Sequence, residues 1–236
     1  MNELIERILA ETNHATNPYF VALEEGRFER ADFVETQIQF YFAVTFFSRP
    51  MAAVAAKIPR AVERVEVLRN VWEEHGEGAA HLAHGSTFLQ LLERLGGLGQ
   101  QEIQLCSLWP ELRLFNTTLT GACVMDEYLV GVGVLGMIER MFSDISGLLG
   151  RGIVAHGWLE RDQLIHYDLH EDLDVKHSDD FFAVLRPVWA QDDDERYYIE
   201  QGLRLGACVF NTLYEHMWRA RKRRWRLARP LRQIRS

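Results

Sequence analysis

Cysteine, proline and long apolar runs are all scarce in this chain. Its 236 residues hold three cysteines and six prolines. Cys106, Cys123 and Cys208 are odd in number and far apart in apolar surroundings, which excludes a disulfide framework and a thiolate zinc site. All three read as core residues. No stretch approaches the ~18 consecutive apolar residues that a membrane span needs. The opening MNELIERILAET carries acids where a secretory signal would carry an apolar run, so a soluble, cytoplasmic protein is expected. Strand signals are equally sparse: no β-branched run alternates with polar residues, and Asn-Gly and Asp-Gly hairpin turns are missing.

The composition, 47% hydrophobic and 25% charged, is that of a globular chain and excludes disorder for its bulk. Acid and base are unevenly spread. Nine of the 26 basic residues lie between Arg219 and Ser236, where there are no acids, leaving 17 basic against 34 acidic residues in the body. Such a body repels polyanions. The tail could bind nucleic acid or an anionic membrane, but positive charge at a helix C-terminus also suits the macrodipole and can fold back onto an acidic body. No recognised nucleic-acid module accompanies it, so the second reading is preferred and neither nucleic acid nor membrane is an expected partner.

Apolar residues recur at three- and four-residue spacing over 32–47, 62–74, 87–95, 112–119, 126–142 and 196–221, predicting helices. Breaks are expected at Gly26–Arg27, Pro50, Pro59, the GGLG at 96–99, Pro110, the GLLGRG at 147–152, Pro187 and the DDD at 192–194. No repeat or long linker divides the chain. A single all-α domain follows.

Chemistry concentrates in three places. In HYDLHEDLDVKH, His170, Asp174 and His177 fall at i, i+4 and i+7, within roughly 60° of one another on a helix. That face can ligate metal, although with Glu171 and Asp172 alongside it also reads as a solvated acidic face. Glu139 ends the charge-free run YLVGVGVLGMI, on a helix whose composition buries it. A carboxylate there costs several kcal/mol without a cation or proton. Arg140 is one candidate cation, and a metal brought close through Gly131, Gly133 and Gly136 is another. In NVWEEHGEGAAHLAHG, Glu74 and His84 are the candidate pair, with His75 and His81 as rivals. A ten-residue spacing leaves them about 15 Å apart in a straight helix, so they meet only if Gly76 and Gly78 turn the chain.

Glu74, His84, Glu139, His170, Asp174 and His177 thus come from three helical regions. Imidazole and carboxylate without thiolate suit iron or manganese, and this set is too large for one open catalytic ion, so two irons fit better than zinc or calcium.

At these residues the chain resembles the haem-oxygenase-like diiron oxidases and oxygenases. Asn70, Glu73, Glu74, Gly76, Gly78 and His84 match that family's first motif, Glu139 its lone glutamate on a Gly-rich helix, and His170, Asp174 and His177 its closing motif. The likeness extends over nearly the whole chain except the basic tail. It implies a haem-oxygenase-like bundle of about seven helices over 1–218, with 219–236 as a basic extension, and a homodimer. It also implies two Fe(II) ions held by the six residues above, O2 as co-substrate and an external electron donor. The expected substrate is a small amine or amino acid, undergoing N-oxygenation, desaturation or C–C cleavage. A fatty-acid oxidase of the same fold is the alternative, although the aromatic stretch Phe40–Phe47 that could line a lipid tunnel reads as ordinary core. A non-enzymatic helical module binding through the basic tail is the reading from a different class. Thiaminase II and the pyrroloquinoline quinone synthase share the wider fold without metal, and the complete ligand set argues against both.

Overall fold

The helical periodicity is realised in a computed structural model that describes residues 1–96, 98–191 and 193–224, with the side chains of 104, 168–175 and 193 outside the description. Among the described residues there are ten α-helices and no strand: α1 Asn2–Thr12, α2 Pro18–Glu24, α3 Arg30–Lys57, α4 Ala61–Glu74, α5 His84–Gly96, α6 Gln100–Gln104, α7 Pro110–Thr120, α8 Tyr128–Ala155, α9 His166–Gln191 and α10 Asp193–Ala220. The count exceeds the expected seven because short helices such as α2 and α6 show too few turns for a period to register. No described helix is long and apolar enough to cross a membrane.

Three expected breaks do not occur. Pro50 and Pro187 lie inside α3 and α9. A mid-helix proline costs ~3 kcal/mol. At Pro50 burial of both flanking halves, through Phe40, Met51 and Val54, offsets that cost. The GLLGRG stretch continues α8, and its glycines make room for neighbours instead: a Cβ on Gly152 would lie 2.5 Å from Leu23, and one on Gly150 3.3 Å from Leu164.

The apolar α8 is the axis, packed against both α9 and α10. On the α10 side, Gly133 meets Gly202, where an added Cβ at either would approach backbone atoms of the other helix to 3.1 Å or less. On the α9 side, a Cβ on Gly136 would stand 2.9 Å from both Phe181 Cβ and the Phe182 ring. These contacts fix how deeply the three helices interlock.

Helix α3 completes the core with a row of buried polar side chains. Gln39 donates to Ser107 O at 2.9 Å and accepts from Trp109 N at 2.8 Å, tying down the loop before α7. Tyr167 of α9 donates to Gln37, whose amide donates to Tyr19 at 2.8 Å, and Tyr19 contacts Thr36 at 2.6 Å. Thr36 in turn donates to Phe33 O at 2.7 Å.

The described start of the basic tail folds back as expected. Arg223 grips Glu111 with two bonds of 2.9 and 3.2 Å, Arg224 pairs with buried Asp32 and lies 3.8 Å from Glu35, and Arg221 stacks on Trp218 at 3.4 Å. Residues 225–236 lie outside the described residues. Cys106 and Cys123 are buried, whereas Cys208 is exposed and does not belong to the core as expected. Its helix turns that position outward, which composition alone does not reveal.

Candidate metal centre

Helix α4 ends at Glu74 because Gly76 and Gly78 adopt φ of 67° and 89°, which side chains rarely allow. Two short 3₁₀ turns, Gly76–Gly78 and Ala80–Leu82, then bring the chain back so that α5 opens at His84. Space as well as φ demands glycine at 76, since a Cβ there would stand 2.5 Å from Ala83 N. The turn converts the ten-residue spacing into contact: His84 Nδ1 lies 2.7 Å from Glu74 Oε1, both side chains buried.

Glu139 comes from α8 and is buried at 4% exposure. Arg140 is not its partner, because that guanidinium turns away to Asp144 at 2.9 Å. His177 comes from α9, 1% exposed, with Nε2 2.6 Å from Glu73 Oε2 and Nδ1 4.0 Å from Glu139 Oε2. One ligand atom each of Glu74, Glu139 and His177 fall within 4.8 Å of one another. The glycine crossing sets this spacing. Gly136 precedes Glu139 by one turn and Phe181 follows His177 by one turn, so this tight α8–α9 contact lies beside the ligands.

His166, wholly buried at the start of α9, is the next neighbour, with its ring centroid 6.2 Å from that of His84. Thr87 Oγ1 is 3.0 Å from His166 Nδ1 and donates its own hydrogen to His84 O at 3.0 Å. With that hydrogen committed, Nδ1–H of His166 is the donor, which makes Nε2 the basic nitrogen of the neutral ring.

Charge balance asks for a cation. Glu73, Glu74 and Glu139 converge here, and Lys176, at the surface, reaches only Glu73, at 3.0 Å. Burial lowers the pKa of His84, but the charge and hydrogen bond of Glu74, with Glu73 beyond, outweigh it and raise the value above that of a free imidazole. Burial likewise pushes Glu73 up, yet hydrogen bonds from Lys176 and His177 bring it below the ordinary carboxylate range. A divalent cation would balance these carboxylates through the same nitrogen and oxygen donors, and the donor set is one that suits iron or manganese.

Of the residues expected from sequence, Glu74, His84, Glu139 and His177 are brought together. The side chains of His170 and Asp174 lie outside the described residues. The rivals His75 and His81 are exposed, His75 bound through Nδ1 to Val71 O at 2.7 Å. Glu73 and His166 were not anticipated. His166 had a signal, since it lies four residues before His170 and extends the same helix face. Glu73 had only its place in the first motif of the resemblance, because adjacent helical residues point about 100° apart and periodicity does not say which faces inward.

Glu74, His84, Glu139 and His166 form the polar end of a cavity of about 440 Å³, counted with its open mouth. The rest is apolar, walled by Phe40, Val44, Phe47, Phe115, Phe142 and Phe210. Phe40 and Phe47 are thus cavity wall as well as core, which corrects the expectation for that stretch. Among the described residues no arginine or lysine lines the chamber.

Residues 34–208 match the family described as iron-containing redox enzymes. The 4-aminobenzoate synthase of Chlamydia pneumoniae is 17% identical over 193 residues, 82% of this chain and 84% of that one. Among solved structures, a CADD-like protein of unknown function from Nostoc punctiforme superposes with a TM-score of 0.76 at 15% identity, covering 92% of this chain and 96% of its own. A domain of unknown function with a heme oxygenase-like fold from Shewanella denitrificans gives 0.75 at 12% identity, covering 94% and 93%. A TenA homolog from Pseudomonas syringae gives 0.72 at 13%, covering 91% and 92%.

Proposed function

The chain belongs to the iron-containing redox enzyme family, with a haem-oxygenase-like fold, and from that premise we propose that it is a non-haem diiron enzyme that uses O2 to oxidise a small organic substrate. The observation that carries this reading is the convergence of buried Glu74, His84, Glu139 and His177 at the polar end of an otherwise apolar chamber. Glu74 and His84 would hold one ion, His177 with His170 and Asp174 the other, and Glu139 would lie between them. Bound iron would supply the redox and Lewis-acid chemistry that these side chains lack.

The protein's own groups do the rest. Aromatic walls exclude water and seat the substrate body. Glu73 holds the far nitrogen of His177 and fixes its ring. His166, oriented by Thr87, offers Nε2 as a proton acceptor toward the chamber. Because the described lining is apolar away from the ligands and carries no cationic side chain, it suits a substrate with one polar group at the ligand end and a hydrocarbon or aromatic body elsewhere. This favours an alkyl or aryl amine or carboxylate over a free zwitterionic amino acid. The compound in the relative's name, 4-aminobenzoate, has an aromatic body of this kind. A homodimer and an external electron donor complete the proposal.

Metal analysis of anaerobically reconstituted protein, followed by O2 uptake with candidate amines and carboxylates, tests it. Two irons per chain and substrate-dependent O2 consumption are expected. Failure to retain iron in wild-type protein, or equal retention after Glu139→Ala, overturns the reading.

A further inference from the structure

A second concavity shares no lining residue with the metal chamber. It lies between the C-terminal half of α8 and the turn before α9, with about 820 Å³ of open space bordered by Ser146, Gly147, Arg151, Val154, Arg161 and Leu164. Among the described residues its lining contains two arginines and no carboxylate. Among the described residues neither Arg151 nor Arg161 forms an ion pair, although most other arginines near an acid do. Arg151 also borders a neighbouring depression that includes Asp144, but that carboxylate is already held by Arg140.

Ser146 is the second, independent sign of a ligand. Its residue is 0% exposed, it lines this groove, and its hydroxyl has no hydrogen-bond partner among the described residues. A helical serine ordinarily satisfies itself on the carbonyl four residues back. A buried hydroxyl left unmatched costs stability unless something binds it. Ser146 shares this lining with Arg151 and Arg161.

We infer that this groove binds a phosphate monoester. Two guanidiniums on different elements can each offer paired N–H donors to a tetrahedral dianion, and Ser146 supplies a third polar contact. A monocarboxylate brings one charge and two acceptor oxygens to the pair, against the two charges and three free oxygens of a phosphate monoester. Val154, Ala155 and Leu164 form an apolar wall for the esterified organic group. The site is distinct from the proposed oxidation chemistry and needs no iron.

Phenyl phosphate titrated by calorimetry into iron-free, chelator-treated protein at low ionic strength is the test, so the outcome does not depend on the diiron reading. Saturable one-to-one binding with Kd of about 0.1–1 mM is expected, weakening as salt is added. Arg151→Ala and Arg161→Ala, both at exposed positions, should each weaken it about tenfold or more, and Ser146→Ala about threefold. Inorganic phosphate should bind less tightly for want of the apolar wall. Absence of saturable binding, or unchanged affinity in both arginine variants whose circular dichroism is native, overturns the proposal. Equal affinity for benzoate overturns the assignment of a dianion.

Discussion

Replacing Gly136 by alanine tests whether the α8–α9 crossing sets the metal centre. The new Cβ would lie 2.9 Å from Phe181 Cβ and from the Phe182 ring, against an ordinary carbon–carbon separation of about 3.5–4.0 Å. Phe181 Cβ is fixed to its backbone, so α9 must retreat by about 0.6–1 Å to restore that separation. Such overpacking costs about 1–3 kcal/mol, and the better helix propensity of alanine returns about 1 kcal/mol. The net loss, from zero to about 2 kcal/mol, corresponds to a Tm lower by up to about 8 °C for a chain of this size. The functional effect should be larger than the stability effect suggests. Glu139 and His177, already 4.0 Å apart, sit one turn away and would be pulled apart. Gly202→Ala provides the contrast: its Cβ would meet Val130 O at 2.5 Å on the α10 side, away from the ligands. Both variants should melt early, but only Gly136→Ala should lose iron affinity, by about tenfold or more. Calorimetric melting and anaerobic ferrous titration read the two effects. A Gly136→Ala protein more stable than wild type, or one that binds iron no worse than Gly202→Ala, refutes the reasoning.

Glu139→Gln should leave the metal-free protein as stable as wild type or more so, because a buried charge is removed, while iron uptake falls; thermal melts with and without ferrous ion separate the effects. The His84 pKa is raised by folding, so its stabilising contribution is present below the unfolded value of 6.5 and fades as pH rises through the folded one; in chelator the stability gap between wild type and His84→Asn should shrink over that rise, and a gap that widens contradicts the Glu74 pairing. Truncation after Ala220 removes Arg221, Arg223 and Arg224, strips buried Asp32 of its cations, and should lower stability by about 1–3 kcal/mol in urea. Single-turnover product should keep rising until two ferrous ions per chain are added, and full activity at one would indicate a mononuclear enzyme.

The helical class was readable because three- and four-residue periodicity persists along nearly the whole chain. Punctuation was less reliable. Pro50 and the glycines at 147–152 look like stops locally, but tertiary contacts with Leu23, Leu164 and the buried halves of α3 override local preference. In the site, Gly76 and Gly78 announced the turn that joins Glu74 to His84, since only a reversal there makes that spacing useful. The isolation of Glu139 in an apolar run announced its burial. The role of Glu73 was hidden because the last turn of α4 could have presented either of two adjacent acids to α9. The chamber was hidden for a similar reason: Phe115, Phe142 and Phe210 lie on three different helices, and no local pattern relates their rotations.

The buried chain from Tyr167 through Gln37, Tyr19 and Thr36 has a direction. Each hydrogen points the same way, and the last one rests on the carbonyl of Phe33. Its members are neutral, and burial raises both tyrosine pKa values, so no link serves as a base. Although it begins next to His166, this is a cul-de-sac for protons and not a wire. Any proton consumed or released at the chamber must travel by another door, and among the described residues Glu73 is one, its carboxylate joining buried His177 to Lys176 at the solvent edge.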